Sequence, residues 1–362
     1  ELDKWGLPKV PTLEDVCPPL PEGTELVPVL DDHGAPPLTT STTTFLQDVE
    51  SCLVDHINLQ LSSFFDENGV EKEKKKKVTT TTKDTNETER PLMKLRLLHR
   101  SPPVLSVDNF LTDEECDYIR SIAEQVSDDS ETNNDRVQMV DSATFKGAIS
   151  TRTSTSWFCR YEDLPVFLAK AHSAFHLELK CMEEPQIVRY EPGQEFSWHY
   201  DEVPPPQLKN GGQRLATLLV YLNSVPPEAG GATTFRDLTS VSITSEGKEE
   251  VAPLVMQPQK GSALLFFPSF NNGQPDDRTL HKSHVMKQWQ HQDRQDPSDD
   301  GVESTLPGST KWILQMWTHQ HQYNAVLPAG NSNAAARPAM EEAARRLGYN
   351  YHKGTEKQDS MT

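Results

Sequence analysis

No apolar stretch in this 362-residue chain approaches the roughly 18 to 20 residues that a membrane-spanning helix needs, and no charged-then-apolar leader opens it. Membrane attachment is therefore expected only through a segment outside this sequence, which is compatible with a chain that begins at Glu1 rather than Met. Cysteine is scarce: Cys17, Cys52, Cys116, Cys159 and Cys181 are odd in number and have no CxxC spacing, which excludes a zinc ribbon or a dense disulfide framework. Basic charge is scarce too. Lys and Arg total 35 against 54 Asp and Glu, a net charge of −19, so phosphate backbones repel the chain and nucleic acid is excluded as a partner. Hydrophobic residues make up only 35% and prolines number 27, so part of the length is expected to stay outside any packed core.

What remains is organised unevenly. Residues 1–43 are rich in Pro, Thr and acids without a sustained period. Phe45, Leu46, Val49, Leu53 and Ile57 recur at helical spacing and predict a short helix within 44–62. The run Lys74-Lys75-Lys76-Lys77 and the threonines after it read as a solvated linker, so 1–96 is expected to be an extension. Order is expected from about Leu97. Thr112-Asp113-Glu114-Glu115 is a capping box before Cys116, Ile119, Ala123 and Val126, which predicts a helix over 113–126. Leu164, Phe167, Leu168, Ala171 and Phe175 predict a second, and 97–182 reads as a helical support region.

After Pro185 short runs with strand character follow one another: 186–190, 215–222, 232–235, 262–267 and 312–317, separated by turns such as Pro192-Gly193 and Gly230-Gly231. Close-spaced strands without intervening helices indicate an antiparallel barrel rather than a doubly wound sheet. The expected fold is mainly β, a double-stranded β-helix or jelly roll over 183–325 with supporting N-terminal helices. Residues 287–310 read as an inserted loop, and 326–362 as a tail whose helix runs over 338–347 from Pro338.

The chemistry-bearing feature is His199-Tyr200-Asp201. On an extended segment residues two apart face the same way, which suits two ligands of one metal ion. The spacing alone is weak, since a chain of this composition holds about one such triplet by chance. A second copy, His291-Gln292-Asp293, sits in the polar insertion and reads as solvated loop; His319-Gln320-His321 has ligand spacing but falls where the last strand runs out. Context separates the first copy. It follows Tyr190-Glu191-Pro192-Gly193 and precedes Gly230-Gly231-Ala232-Thr233-Thr234-Phe235, then 260–267, then Asp277-Arg278-Thr279-Leu280-His281, then Lys311-Trp312.

That order resembles the iron(II)- and 2-oxoglutarate-dependent dioxygenases, and within them the prolyl 4-hydroxylase family; Val107–Cys116 and Arg152-Thr153-Ser154 resemble its N-terminal support region. The resemblance covers about residues 97–320. It implies Fe(2+) ligation by His199, Asp201 and His281 as the catalytic set, with 2-oxoglutarate held by Lys311 through its far carboxylate and by a hydrogen bond from Tyr190. Trp317, on the face of Lys311, is expected as a wall of that pocket. Two His and one carboxylate leave three positions of an octahedral iron open, enough for a bidentate 2-oxo acid and O2. The sequence departs from the family in Lys282-Ser283-His284-Val285, which makes His284 the rival for the distal ligand, and in the long spacing from His281 to Lys311.

The resemblance further implies hydroxylation of proline in a peptide or protein substrate, coupled to decarboxylation of 2-oxoglutarate to succinate, with L-ascorbate as reductant and an endoplasmic-reticulum location compatible with the sequon Asn86-Glu87-Thr88. The rivals are the same chemistry on another amino acid or small molecule, and a silent jelly-roll module binding proline-rich peptides. The loops 127–150 and 202–213 are expected to set the acceptor. Residues 113–135 hold nine acids and one base and 293–303 five and one; at the mouth of a groove, such segments would favour basic peptides.

Overall fold

The computed structural model describes residues 92–100, 102–128, 137–141, 152–175, 177–243, 249–270, 273–289 and 309–349. The expected helix in 44–62, the lysine run, Asn86, Cys17, Cys52 and the triplet His291-Gln292-Asp293 lie outside these residues.

In chain order the elements are β1 (Lys94–Arg100), β2 (Pro103–Asp108), α1 (Asp113–Asp128), β3 (Val137–Asp141), β4 (Thr155–Cys159), α2 (Pro165–Phe175), β5 (Gln186–Tyr190), β6 (Phe196–His199), β7 (Arg214–Tyr221), β8 (Thr233–Ile243), β9 (Glu249–Met256), β10 (Ala263–Phe266), β11 (His281–Ser283), β12 (Lys311–His319) and α3 (Asn333–Leu347). They form an eight-stranded sheet, β1-β2-β10-β7-β12-β5-β4-β3, and a four-stranded sheet, β6-β11-β8-β9. Every strand pairing among the described residues is antiparallel. This is the expected jelly-roll class, α+β by virtue of its supporting helices.

Alternation along single strands explains how the large sheet carries two cores. In β7, Leu218 and Val220 join the cluster packed under the helices, whereas Leu219 and Tyr221 join the cluster between the sheets. β12 repeats this, sending Trp312, Leu314 and Met316 to the helical side and Ile313 to the other. A strand covered on both faces needs no polar side, so β10 reads as a continuous apolar run and β7 and β12 are apolar on both faces with few polar interruptions. Lys311 and Gln315 share the face of Ile313 and are carried into the space between the sheets.

The helices form as the caps dictate. Glu115 N donates to Thr112 Oγ1 at 3.2 Å and Thr112 N donates to Glu115 Oε2 at 2.9 Å, the reciprocal box that starts α1. α3 departs from expectation. It starts at Asn333 under the Ser332 cap, with Pro338 inside it. The run Ala334-Ala335-Ala336 extends the helix upstream, and its face is buried at Ala336, Met340, Ala343 and Ala344. Gly348 in the left-handed region closes it. No described helix is long and apolar enough to cross a membrane.

Seven strands escaped the pattern reading. β1 and β2 lie in the stretch read as helical support, and β1 begins at Lys94, ahead of the expected start of order. β11 has three residues and β6 four, too short to show a period.

Candidate metal centre and groove

β6 and β11 are neighbours in the small sheet, and their register places His281 directly opposite His199. Asp201 follows two residues after His199. One ligand atom from each of His199, Asp201 and His281 lies within 4.8 Å of the others, so the three could hold one metal ion. His199 Nε2 is 3.6 Å from Asp201 Oδ1, and His281 Nε2 is 3.8 Å from Asp201 Oδ2.

The surroundings prepare these atoms for a cation. His199 Nδ1 lies 2.8 Å from Ser197 O and His281 Nδ1 lies 2.9 Å from Thr279 O. A carbonyl only accepts, so each Nδ1 carries the proton and each Nε2 presents a lone pair to the centre. Burial, with the neighbouring His281 ring adding to it, pushes His199 down to about 3, keeping its ring neutral near pH 7. Asp201 is held below the usual carboxylate range: burial opposes ionisation, but the two histidines and Arg214 outweigh it. Thr217 Oγ1 donates to Asp201 Oδ2 at 2.7 Å and orients the carboxylate. Two imidazole nitrogens and one carboxylate converging on one point fit a divalent first-row metal such as iron.

The pocket beyond the triad ends at Lys311, which is fully buried. Its Nζ donates to Gly231 O at 2.7 Å and to Ser283 Oγ at 2.8 Å. Among the described residues no carboxylate pairs with it, and burial pushes the ammonium down to about 7. Tyr190, opposite Lys311 in the β5–β12 register, has its ring centroid 5.2 Å from Nζ, with Tyr221 at 5.7 Å. A buried ammonium with one donor position left beyond its two neutral acceptors suits the far carboxylate of a dicarboxylic acid. The pocket is also lined by Thr233, Gln315, Leu219, Phe266 and Ile313, and by Phe196, whose ring stacks on His199 with centroids 3.4 Å apart.

A larger groove shares Phe196, His199 and Asp201 with this pocket. Its floor is a buried charged group. Arg214 donates to Glu183 through two nitrogens, at 2.8 and 2.7 Å, and to the Asp201 backbone oxygen at 3.3 Å. His319 Nε2 lies 2.9 Å from Glu183 and Nδ1 lies 3.1 Å from Gly212 O. Trp317 lies under the Arg214 guanidinium at 3.8 Å. Trp317 therefore faces the groove and not the pocket of Lys311, because six residues carry β12 about 20 Å past the lysine.

His284 is not part of the triad. It stands three residues beyond His281, and its Nε2 lies 2.8 Å from Thr234 Oγ1. His319 of the His-x-His pair is committed to Glu183. The pattern reading missed Thr217, Ser283, Glu183 and Arg214, polar residues inside or beside apolar strands that only the sheet pairing brings to the site. Arg152, quoted as support, also reaches it, stacking over Phe196 at 5.1 Å and bonding Ser154 and Ser156. No residue of α1 lines the pocket or the groove, so the acids of 113–128 lie away from the site. Residues 293–303 lie outside the described ones. The 202–213 loop does line the groove, through Val203, Pro206, Gln207, Lys209 and Asn210.

An antiparallel jelly roll with a two-histidine, one-carboxylate triad and a buried cation defines an oxygenase of the 2-oxoglutarate and iron(II) class. The family model described as the 2OG-Fe(II) oxygenase superfamily matches residues 185–319. Prolyl 4-hydroxylase 2 of Arabidopsis thaliana is 31% identical over 245 residues, covering 65% of this chain and 73% of that protein. Prolyl 4-hydroxylase 5 of the same plant is 30% identical over 235 residues, 61% of this chain and 70% of that protein. Among solved structures, the viral collagen prolyl hydroxylase of Paramecium bursaria Chlorella virus-1, in its 2OG complex, is 22% identical, covers 59% of this chain and 94% of that chain, and has a TM-score of 0.37. The chain belongs to the prolyl 4-hydroxylase family.

Proposed function

We propose that this protein hydroxylates proline in a peptide or protein, consuming 2-oxoglutarate and O2 and releasing succinate and CO2. The observation that carries the reading is one pocket that joins the triad to a buried lysine and shares Phe196, His199 and Asp201 with a larger groove beside it. Bound iron(II) with 2-oxoglutarate and O2 supplies the oxidation, one oxygen atom entering the proline C–H bond and the other the succinate carboxylate.

His199, Asp201 and His281 would hold the metal. Thr217 fixes the Asp201 carboxylate, and Arg214 fixes the backbone at the same residue. Lys311 would bind the far carboxylate of 2-oxoglutarate, with Ser283 and Gly231 aiming its ammonium. Tyr190 stands beside it to donate to the same co-substrate. Phe196, Leu219, Phe266 and Ile313 exclude water from the space between. A silent peptide-binding module leaves the buried, carboxylate-free Lys311 without a purpose.

Ascorbate as reductant and a lumenal location belong to the same proposal, supported by family membership; a glycan on Asn86 and an ascorbate requirement for sustained turnover test them. The reading itself is tested by supplying iron(II), 2-oxoglutarate and a panel of proline peptides. Succinate and a peptide mass increase of one oxygen atom are expected, both lost in His199→Ala; succinate formation without oxidation of any peptide would sink proline as the acceptor.

A further inference from the structure

The groove beside the triad has a wall beyond the reach of the family match. That match ends at residue 319, whereas Tyr323, Val326 and Leu327 line the groove together with His199 and Asp201. This wall is clamped from several sides. One carboxylate oxygen of Glu184, Oε1, accepts from both Val326 N and Leu327 N, the second at 2.6 Å. Glu184 itself is buried, at 1% exposure. Asn210 and Asn324 exchange two hydrogen bonds, Nδ2 to O at 2.8 Å and N to Oδ1 at 2.9 Å, which ties the wall to the 202–213 loop. Tyr323 N donates to Lys180 O at 2.9 Å, and Tyr323 O accepts from Asn333 Nδ2 at 3.0 Å.

On this pinned backbone the Val326 side chain stands 63% exposed. A single exposed valine is ordinary on a protein surface. This one differs because a buried carboxylate fixes its backbone and because it lines the groove of the triad. A contact held in place beforehand loses little conformational freedom when a ligand arrives, so its apolar area counts toward binding.

The geometry points to Val326 as a specificity-determining contact of the groove: it packs on the residue flanking the oxidised proline and favours an apolar neighbour there over a charged one, with Glu184 as its positioning residue. This rests on the peptide-oxidising function proposed above.

The test uses the full chain loaded with Mn(II) and 2-oxoglutarate for binding, and with iron(II) for turnover. The peptides carry Val, Lys or Asp on either side of one proline. In the wild type, Val-flanked peptides should bind tightest. Val326→Asp should weaken them about tenfold and raise the relative affinity for Lys-flanked ones, with Val326→Lys doing the same for Asp-flanked ones, while 2-oxoglutarate affinity stays unchanged. Glu184→Ala should raise peptide KM with little effect on kcat, and Glu184→Gln, which keeps an acceptor oxygen, should restore it. Affinity ratios across the panel that stay within about twofold of wild type in both Val326 variants would overturn the inference, even with proline oxidised normally. Val326-dependent peptide binding without oxidation would uphold Val326 as the contact for the residue flanking a bound proline and sink the proposed function instead. Absence of binding by every peptide would overturn both.

Discussion

His281 and His199 face each other across the β6–β11 ladder with ring centroids 4.2 Å apart, each ring tied at Nδ1 to a carbonyl two residues before it. This shared local geometry turns both Nε2 atoms to the same point as the Asp201 carboxylate. Replacing a ring should therefore abolish metal binding, and loosening the carboxylate should only weaken it. We expect His281→Ala to lose Mn(II) binding and succinate formation together, and Thr217→Val to lower metal affinity by about 10- to 100-fold with the fold intact. Calorimetric titration with Mn(II) checks both; a Thr217→Val protein with wild-type affinity would show that its hydrogen bond to Asp201 is dispensable.

Lys311 gives the proposed co-substrate pocket a pH dependence whose sign is determined. Burial lowers its ammonium to about 7, whereas a bound carboxylate restores the charged form. Below that value the free pocket is already protonated, and above it binding must take up a proton. Uptake on 2-oxoglutarate binding to the Mn(II)-loaded protein should therefore be close to one proton at about pH 8 and close to zero at about pH 6, with affinity falling about tenfold per pH unit above the midpoint. Titrations in buffers of different ionisation heat measure the uptake. Equal uptake at both pH values would remove Lys311 from the co-substrate site.

The triad and Lys311 were legible from residue types and their order along the chain, although His199 and His281 stand on β6 and β11, strands too short to show a period; only Lys311 adjoins a strand that local pattern marks. β5 was read to the residue, from Gln186 to Tyr190, since Gly and Pro punctuate both sides. His284 could be discounted only in the folded chain, where it turns away to Thr234. Trp317 was placed on the correct face but too near Lys311, because facing is set by alternation whereas distance along the strand is set by rise. Glu183, Arg214 and His319 were illegible as a unit: they lie 31 and 105 residues apart in sequence, and antiparallel pairing alone makes them neighbours.

That buried group also carries a stability prediction. Burial opposes the Glu183 charge, but Arg214 and the hydrogen bond from His319 overcome it and bring the carboxyl down to about 2. A carboxyl depressed by folding stabilises above its unfolded value near 4.5 and loses that contribution as pH falls toward 2. Glu183→Gln should thus be destabilised by about 3 kcal/mol at neutral pH, since Arg214 keeps its charge without its counter-ion, and the gap to wild type should close progressively below about pH 4. Denaturant melts at pH 7 and pH 3 measure it; a gap that widens in acid would refute the assignment.

Gly231 couples the backbone turn before β8 to the buried Lys311. It has φ +70°, and a Cβ there would stand 2.5 Å from Met286 Sδ and 3.4 Å from Lys311 Cδ. Its carbonyl oxygen is also one of the two acceptors that aim Lys311 Nζ. An alanine at this position costs about 1–2 kcal/mol for the left-handed backbone alone. It also pushes on Met286 and shifts the acceptor that positions the lysine. The metal ligands stand on other segments and should be spared. Gly231→Ala is therefore expected to raise the KM for 2-oxoglutarate by about tenfold while Mn(II) affinity stays within about twofold of wild type. Equal losses of metal and 2-oxoglutarate affinity would mean that the substitution disturbs the whole barrel and not the lysine.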